Sequence, residues 1–334
     1  MRVGWVNAAL AGLVAALFAA SLLVGPAEIG VADSLAALFG EQGGAAVLVM
    51  REIRLPRAIL GLAIGATLGL SGAALQGYLR NPLAEPGLIG VSATASLGAV
   101  LAIYSGAAAL FALALPLMAL GGALLAVLAV QAMAGGAGAG RPGGALTLIL
   151  AGVAVTAFAS AMTSLALNLS PNPFAALEIV FWMLGSLADR SMQHVVLALP
   201  FMAVGWVMLA GLGRGLDALT LGEDAAASMG VRLTRLRLLA VLGTAASVGA
   251  ATAVAGAIGF VGLVVPHLLR PLVGAQPSRL LLASALGGAA MLLAADIAVR
   301  VIAPGDDLKL GVLTAIVGAP FFLWLVVRTR RSLS

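Results

Sequence analysis

Ser71 stands in Gly69-Leu70-Ser71-Gly72, and the only imidazoles that could act as its base are His194 and His267. A serine paired with a histidine is a hydrolytic nucleophile. A four-residue pattern of Gly and Ser arises by chance in a chain with 43 glycines, so proteolysis is not the chemistry expected here. The absence of Cys removes thiolate catalysis, sulfur metal sites and disulfides. A P-loop requires Gly-Lys-Ser or Gly-Lys-Thr, and the one lysine, Lys309, lies in Asp306-Asp307-Leu308-Lys309-Leu310. Any ATP-driven motor must therefore be another subunit. No catalytic residue, metal site or cofactor is expected.

What remains chemically distinctive is a set of arginines and several helix-breaking stretches. Arg51, Arg54 and Arg57 cluster before a long apolar run. Asp296 and Arg300 are four apart, one helix face, and are expected to pair. Asn81-Pro82-Leu83-Ala84-Glu85-Pro86-Gly87 makes a stiff, shaped turn. The segment Ala255 to Arg270 is interrupted by Gly256, Gly259, Gly262 and Pro266. Broken helices of that kind survive in a membrane only where protein or a water-filled path satisfies the freed backbone.

The elements that position these residues follow from composition. With 62% hydrophobic and 9% charged residues, a soluble fold is excluded. The apolar runs do not alternate, so helices are expected rather than a barrel, each about 20 residues long. Breakers divide the chain into ten spans near 5–24, 58–79, 88–104, 109–133, 147–167, 193–212, 236–256, 259–270, 279–300 and 309–327. The first is read as a retained helix, a signal peptide being the alternative. Placing the N-terminus inside puts twelve basic residues on the inner face and six on the outer, satisfying the positive-inside bias. The same bias accounts for the net charge of +5 without invoking nucleic acid. Arg51, Arg54 and Arg57 fall on the outer face and need a separate reason.

A faint repeat relates Arg54-Leu55-Pro56-Arg57 and Gly65 to Arg232-Leu233-Thr234-Arg235 and Gly243, five spans apart and of opposite orientation. An inverted repeat with broken helices also suits an ion-gradient transporter, but such coupling needs acids at midplane, and this chain has almost none. Between the sixth and seventh spans, residues 216–231 carry early acids and a late Gly230, the pattern of a short helix outside the bilayer. Asp224-Ala225-Ala226 followed by Gly230 looks like the loop by which ABC importer permeases dock on their ATPase.

Arg54-Leu-Pro-Arg57, Asn81-Pro-Leu-Ala-Glu-Pro86, Trp182-Met-Leu-Gly-Ser186, Gly259-Phe-Val-Gly-Leu-Val-Val-Pro-His267, Ala295-Asp296 to Arg300 and Gly318-Ala-Pro-Phe321 together resemble the FecCD family of ABC permeases. That family includes ferric-siderophore, haem and cobalamin permeases. The resemblance implies an all-α, polytopic type II importer permease of about ten transmembrane helices, a single domain over 1–334, in a bacterial inner membrane. It implies a homodimer, two cytoplasmic ABC ATPases and a periplasmic binding protein. Arg54, Arg57 and Arg300 would meet acids of that binding protein. Asn81 and Leu83 would lie at the cytoplasmic gate. Leu219, Gly222, Glu223, Asp224, Ala225, Ala226 and Gly230 would couple to the ATPase. Gly143-Gly144-Ala145-Leu146 departs from the small hydroxylated residues of the cobalamin permeases. An iron chelate is the first choice of cargo, haem the second and cobalamin the third.

Overall fold

The computed structural model describes residues 2–27, 29–40, 44–111, 113–135, 145–170, 172–303 and 308–331. Among these, all regular structure is helical. Helix α1 is Arg2–Leu23, α2 Val31–Phe39 and α3 Ala45–Leu48; a π-helical turn, Val49–Arg54, leads into α4, Leu55–Tyr78. There follow α5, Val91–Tyr104, α6, Ala114–Gly135, α7, Ala145–Asn168, α8, Pro173–Met183, and α9, Met192–Ala210. Short helices α10, Gly213–Leu219, and α11, Glu223–Ser228, precede α12, Leu233–Ala255, α13, Val261–Leu269, α14, Pro277–Ile302, and α15, Leu310–Arg331.

Seven helical stretches are long and apolar enough to cross a bilayer, and α5, α8 and the apolar part of α15, Leu310–Leu325, are shorter. The span expected at 259–270 is corrected: its helix has nine residues, about 14 Å, under half of a hydrocarbon core. The residues before it, 256–260, are not helical. The break is built by Gly256, at φ 74°, and by Phe260, a non-glycine held at φ 67°. Freed backbone groups find protein partners: Ser186 N–H donates to the Ala255 carbonyl, and Phe260 N–H donates to Glu85 Oε1 at 2.7 Å.

Helices α4 and α12 form the buried centre, and their glycines decide how closely neighbours approach. A Cβ on Gly65 would land on the Gly288 carbonyl oxygen, one on Gly69 on that of Ser284, and one on Gly72 on that of Gly262. Backbone-to-backbone contact of this kind is how helices associate in lipid, where no hydrophobic force draws them together. Helix α4 is thereby fitted to both α14 and α13. The helix α8 lay outside the ten expected spans. Its eleven residues start at Pro173 behind an Asn172 cap that accepts from Ala175 N–H at 2.8 Å.

Candidate functional site

The functional features gather at the two ends of α4 and α14. At one end, the chain leaves α4 through Arg80, held at φ 48°, and enters the Asn81 turn. Asn81 Oδ1 accepts from Leu83 N–H at 2.9 Å, an Asx turn that fixes the loop from within. Gln76, buried in α4, reaches the Ala84, Gly262 and Leu263 carbonyls and accepts from an Arg270 guanidinium N–H at 2.7 Å. With the Glu85–Phe260 bond, these contacts lock the turn onto the unwound start of α13. Farther on, Gly152 of α7 has no room for a Cβ because the Leu88 carbonyl lies against it. Asn81 and Leu83 thus sit in a turn wedged among α4, α7 and α13. Gly143 and Gly144 lie outside the described residues.

Beside this turn stands the α10–α11 segment. Arg80 and Glu223 approach at 3.9 Å, both about half exposed, a contact that marks proximity more than it supplies energy. Ala226 is fully buried and its carbonyl accepts from Val231 N–H, so it holds the segment's own fold. Leu219 is buried as well; Glu223, Asp224 and Gly230 are exposed, with Gly222 and Ala225 intermediate. Sequence reasoning missed Leu221 and Met229, which are 68% and 63% exposed in a segment outside the long apolar helices. Both flank α11 and lie in the same short segment as its acidic Glu223 and Asp224.

Asp217 ties this segment to α14. Its carboxylate accepts from Ser278 N–H at 2.8 Å and from the Ser278 hydroxyl and the Gln276 amide, each at 2.7 Å. It therefore caps the positive N-terminus of α14 from another element. Desolvation would raise its pKa, but the Ser278 and Gln276 hydrogen bonds and the nearby Arg279 outweigh this and hold it below the usual 3.8. A carboxyl depressed on folding contributes above its unfolded pKa and loses that contribution as pH falls through the folded value. Asp217→Asn is therefore expected to cost about 1–2 kcal/mol, evenly between pH 5 and 8. Unfolding of the solubilised protein measures it. The gap to wild type should close only below about pH 4, and a gap that closes near neutral pH would remove Asp217 as the cap.

Some 18 residues along α14 from Ser278, about 27 Å away, lies the arginine cluster. Asp296, 1% exposed, is bound on two sides: Arg57 at 2.8 Å and Arg300 at 2.9 Å. Arg300 also donates to the Ser21 and Val24 carbonyls and to the Ser21 hydroxyl. Arg54 donates to the Leu22, Leu23 and Ala27 carbonyls. Two arginines thus cap the C-terminal end of α1, where open carbonyls and the helix dipole favour cations. Arg54 and Arg300 are 4% and 9% exposed, so they face inward; Arg57, whose side chain is 17% exposed, is the member nearest solvent. The expected Asp296–Arg300 pair is present, and Arg57 completes it from α4.

Ser71 has no histidine beside it. Its hydroxyl lies 3.4 Å from that of Ser247, His194 Nδ1 caps α9 through Ser191, and the His267 ring packs edge-on to Phe321. Among the described residues, no group of three His, Asp or Glu could hold a metal ion.

Residues 13–328 match the FecCD transport family. The chain is 40% identical over 319 residues, 94% of this chain and 92% of the relative, to the ferric enterobactin transport system permease protein FepD of Escherichia coli (strain K12). It is 40% identical over 285 residues, 85% of this chain and 83% of the relative, to the vitamin B12 import system permease protein BtuC of Klebsiella pneumoniae. A solved structure described as an inward-facing metal-chelate type ABC transporter superposes with a TM-score of 0.83 at 31% identity, covering 97% of this chain and 99% of that one. The chain belongs to the FecCD transport family.

Proposed function

We propose that this chain is the membrane-spanning permease of an ATP-driven importer that moves an iron chelate across a bacterial inner membrane, with the N-terminus inside. Residues 1–334 act as one permease domain. Two copies form the pathway, two ATPases bind their α10–α11 segments, and a periplasmic binding protein delivers cargo to the opposite end. Relatives named for enterobactin, ferric citrate and vitamin B12 support chelate-sized cargo. An iron chelate stands first, then haem, then cobalamin.

The observation that carries this reading is the α10–α11 segment with Leu221 and Met229 exposed beside the Asn81 turn. An ATPase seated there reaches the gate through Arg80 and α14 through Asp217. Leu219 and Ala226 shape the segment from inside, and Gly222, Glu223, Asp224, Ala225 and Gly230 join Leu221 and Met229 at its surface. Asn81 and Leu83 close the inner end. At the outer end Arg57 meets the binding protein, with Arg54 and Arg300 holding α1 and α14 behind it.

Charging the two exposed apolar residues tests the reading. Leu221→Asp with Met229→Asp is expected to remove a contact worth at least about 2 kcal/mol, weakening ATPase association roughly thirty-fold or more. Insertion of the permease in the membrane should be unaffected, since both residues lie outside the spans. Titrating purified ATPase onto the two permeases measures it, and equal affinity would exclude this segment as the docking surface.

A further inference from the structure

We propose that the groove between α9, α10 and α12 binds an anionic phospholipid through its headgroup phosphate. The groove holds about 540 Å³. Arg232 and Arg235 line it at the start of α12, and Val207, Met208 and Leu239 form its apolar wall. Both arginines are exposed, and among the described residues neither side chain makes a hydrogen bond or ion pair. No acid among the described residues lines the groove.

Depth selects the occupant. Leu239 lies six residues into α12, about 9 Å along its axis, and Val207 lies three residues before the end of α9, about 5 Å. The wall therefore enters hydrocarbon while the arginines stay at the surface, and Val207 is 76% exposed toward it. A phospholipid spans both zones: its phosphate meets the guanidinium groups and an acyl chain follows Val207, Met208 and Leu239. A cytoplasmic protein could cover the arginines but could not follow the wall into the bilayer. Basic pockets between spans on the cytoplasmic side are where anionic headgroups bind. Gly215, Gly230 and Val231 line the same groove, so the bound lipid would brace the α10–α11 segment against α12.

The inner-side placement rests on the orientation proposed above. The test uses neither ATP nor transport, so failure of the lipid site and failure of the importer reading are separate outcomes. The permease–ATPase complex is delipidated in detergent and titrated with phosphatidylglycerol, with phosphatidylcholine and inorganic phosphate in parallel, and retained lipid is counted by native mass spectrometry. Wild type is expected to retain phosphatidylglycerol at one site per permease in preference to phosphatidylcholine, and inorganic phosphate should not displace it. Arg232→Gln with Arg235→Gln should need roughly thirty-fold more lipid, from about 1 kcal/mol per arginine. Arg232→Lys with Arg235→Lys should stay close to wild type. Equal retention by the Gln variant would overturn the proposal. So would displacement by inorganic phosphate, which would mark a simple anion site. Loss of the ATPase from the Gln variant with lipid retention unchanged would assign these arginines to the protein partner instead.

Discussion

Asp296→Ala is expected to be among the most damaging single changes in the protein. It removes the one carboxylate among Arg57, Arg300 and the nearby Arg54, leaving buried cations with no counter-charge. Breaking a buried pair by deleting one partner typically costs about 3–5 kcal/mol. The loss should spread, because Arg300 also holds the C-terminal carbonyls of α1 and Arg57 is the tie from α4 to α14. Thermal unfolding of the detergent-solubilised protein should show a large drop in Tm. Asp296→Glu should recover part of it, since a carboxylate remains within reach. An unchanged Tm for Asp296→Ala would show that α1 carbonyls and water already satisfy the arginines.

Gly69→Val is expected to force α4 and α14 apart. Its Cβ would occupy the position of the Ser284 carbonyl oxygen, and no side-chain rotation relieves a clash with backbone. Overpacking usually costs about 1–3 kcal/mol, and more where backbone must move. The cost is compounded here because the Arg57–Asp296 pair bridges the same two helices. Gly121→Val is the control, since a Cβ there meets nothing within 4 Å. Folded yield and Tm should fall for Gly69→Val and stay near wild type for Gly121→Val. Equal behaviour of the two would mean that the close approach of α4 to α14 is not required.

These expectations show which parts of the structure were legible from composition and spacing. Spans built of long apolar runs, such as α7 and α12, announce themselves because each must satisfy its backbone alone in lipid. The break inside the apolar run Leu238 to Val273 was legible because about 36 residues would overrun a bilayer, and the helix does stop at Ala255. The length of the next helix was not, since hydropathy does not distinguish the non-helical residues 256–260 from helix. Helix α8 escaped for a related reason. Eleven residues containing Glu178 fall below any spanning window.

Side-chain burial was the less legible layer. Arg54 and Arg57 could be picked out because orientation rules disfavour arginines on the outer face, and Arg300 because it stands four residues from Asp296, but sequence does not show that carbonyls of α1, some thirty residues from Arg54, take up its donors. An outward role looked open to all three, whereas the structure leaves only Arg57 near solvent. Asp217 counted only among the early acids of residues 216–231; its partners Gln276 and Ser278 are about sixty residues away and joined to it by folding alone. Leu221 and Met229 were hidden for the opposite reason. In a chain this apolar, a leucine and a methionine carry no signal until their exposure is known.

The central claim is that ATP hydrolysis by a partner drives cargo through this chain, and uptake into sealed vesicles tests it most directly. Permease, ATPase and binding protein are reconstituted, and entry of a radiolabelled ferric chelate is followed with ATP supplied on the ATPase side. Uptake is expected only with hydrolysable ATP, to be lost when a non-hydrolysable analogue replaces it, and to persist when ion gradients are collapsed. Uptake that continues without hydrolysis and disappears with an ion gradient would contradict the account.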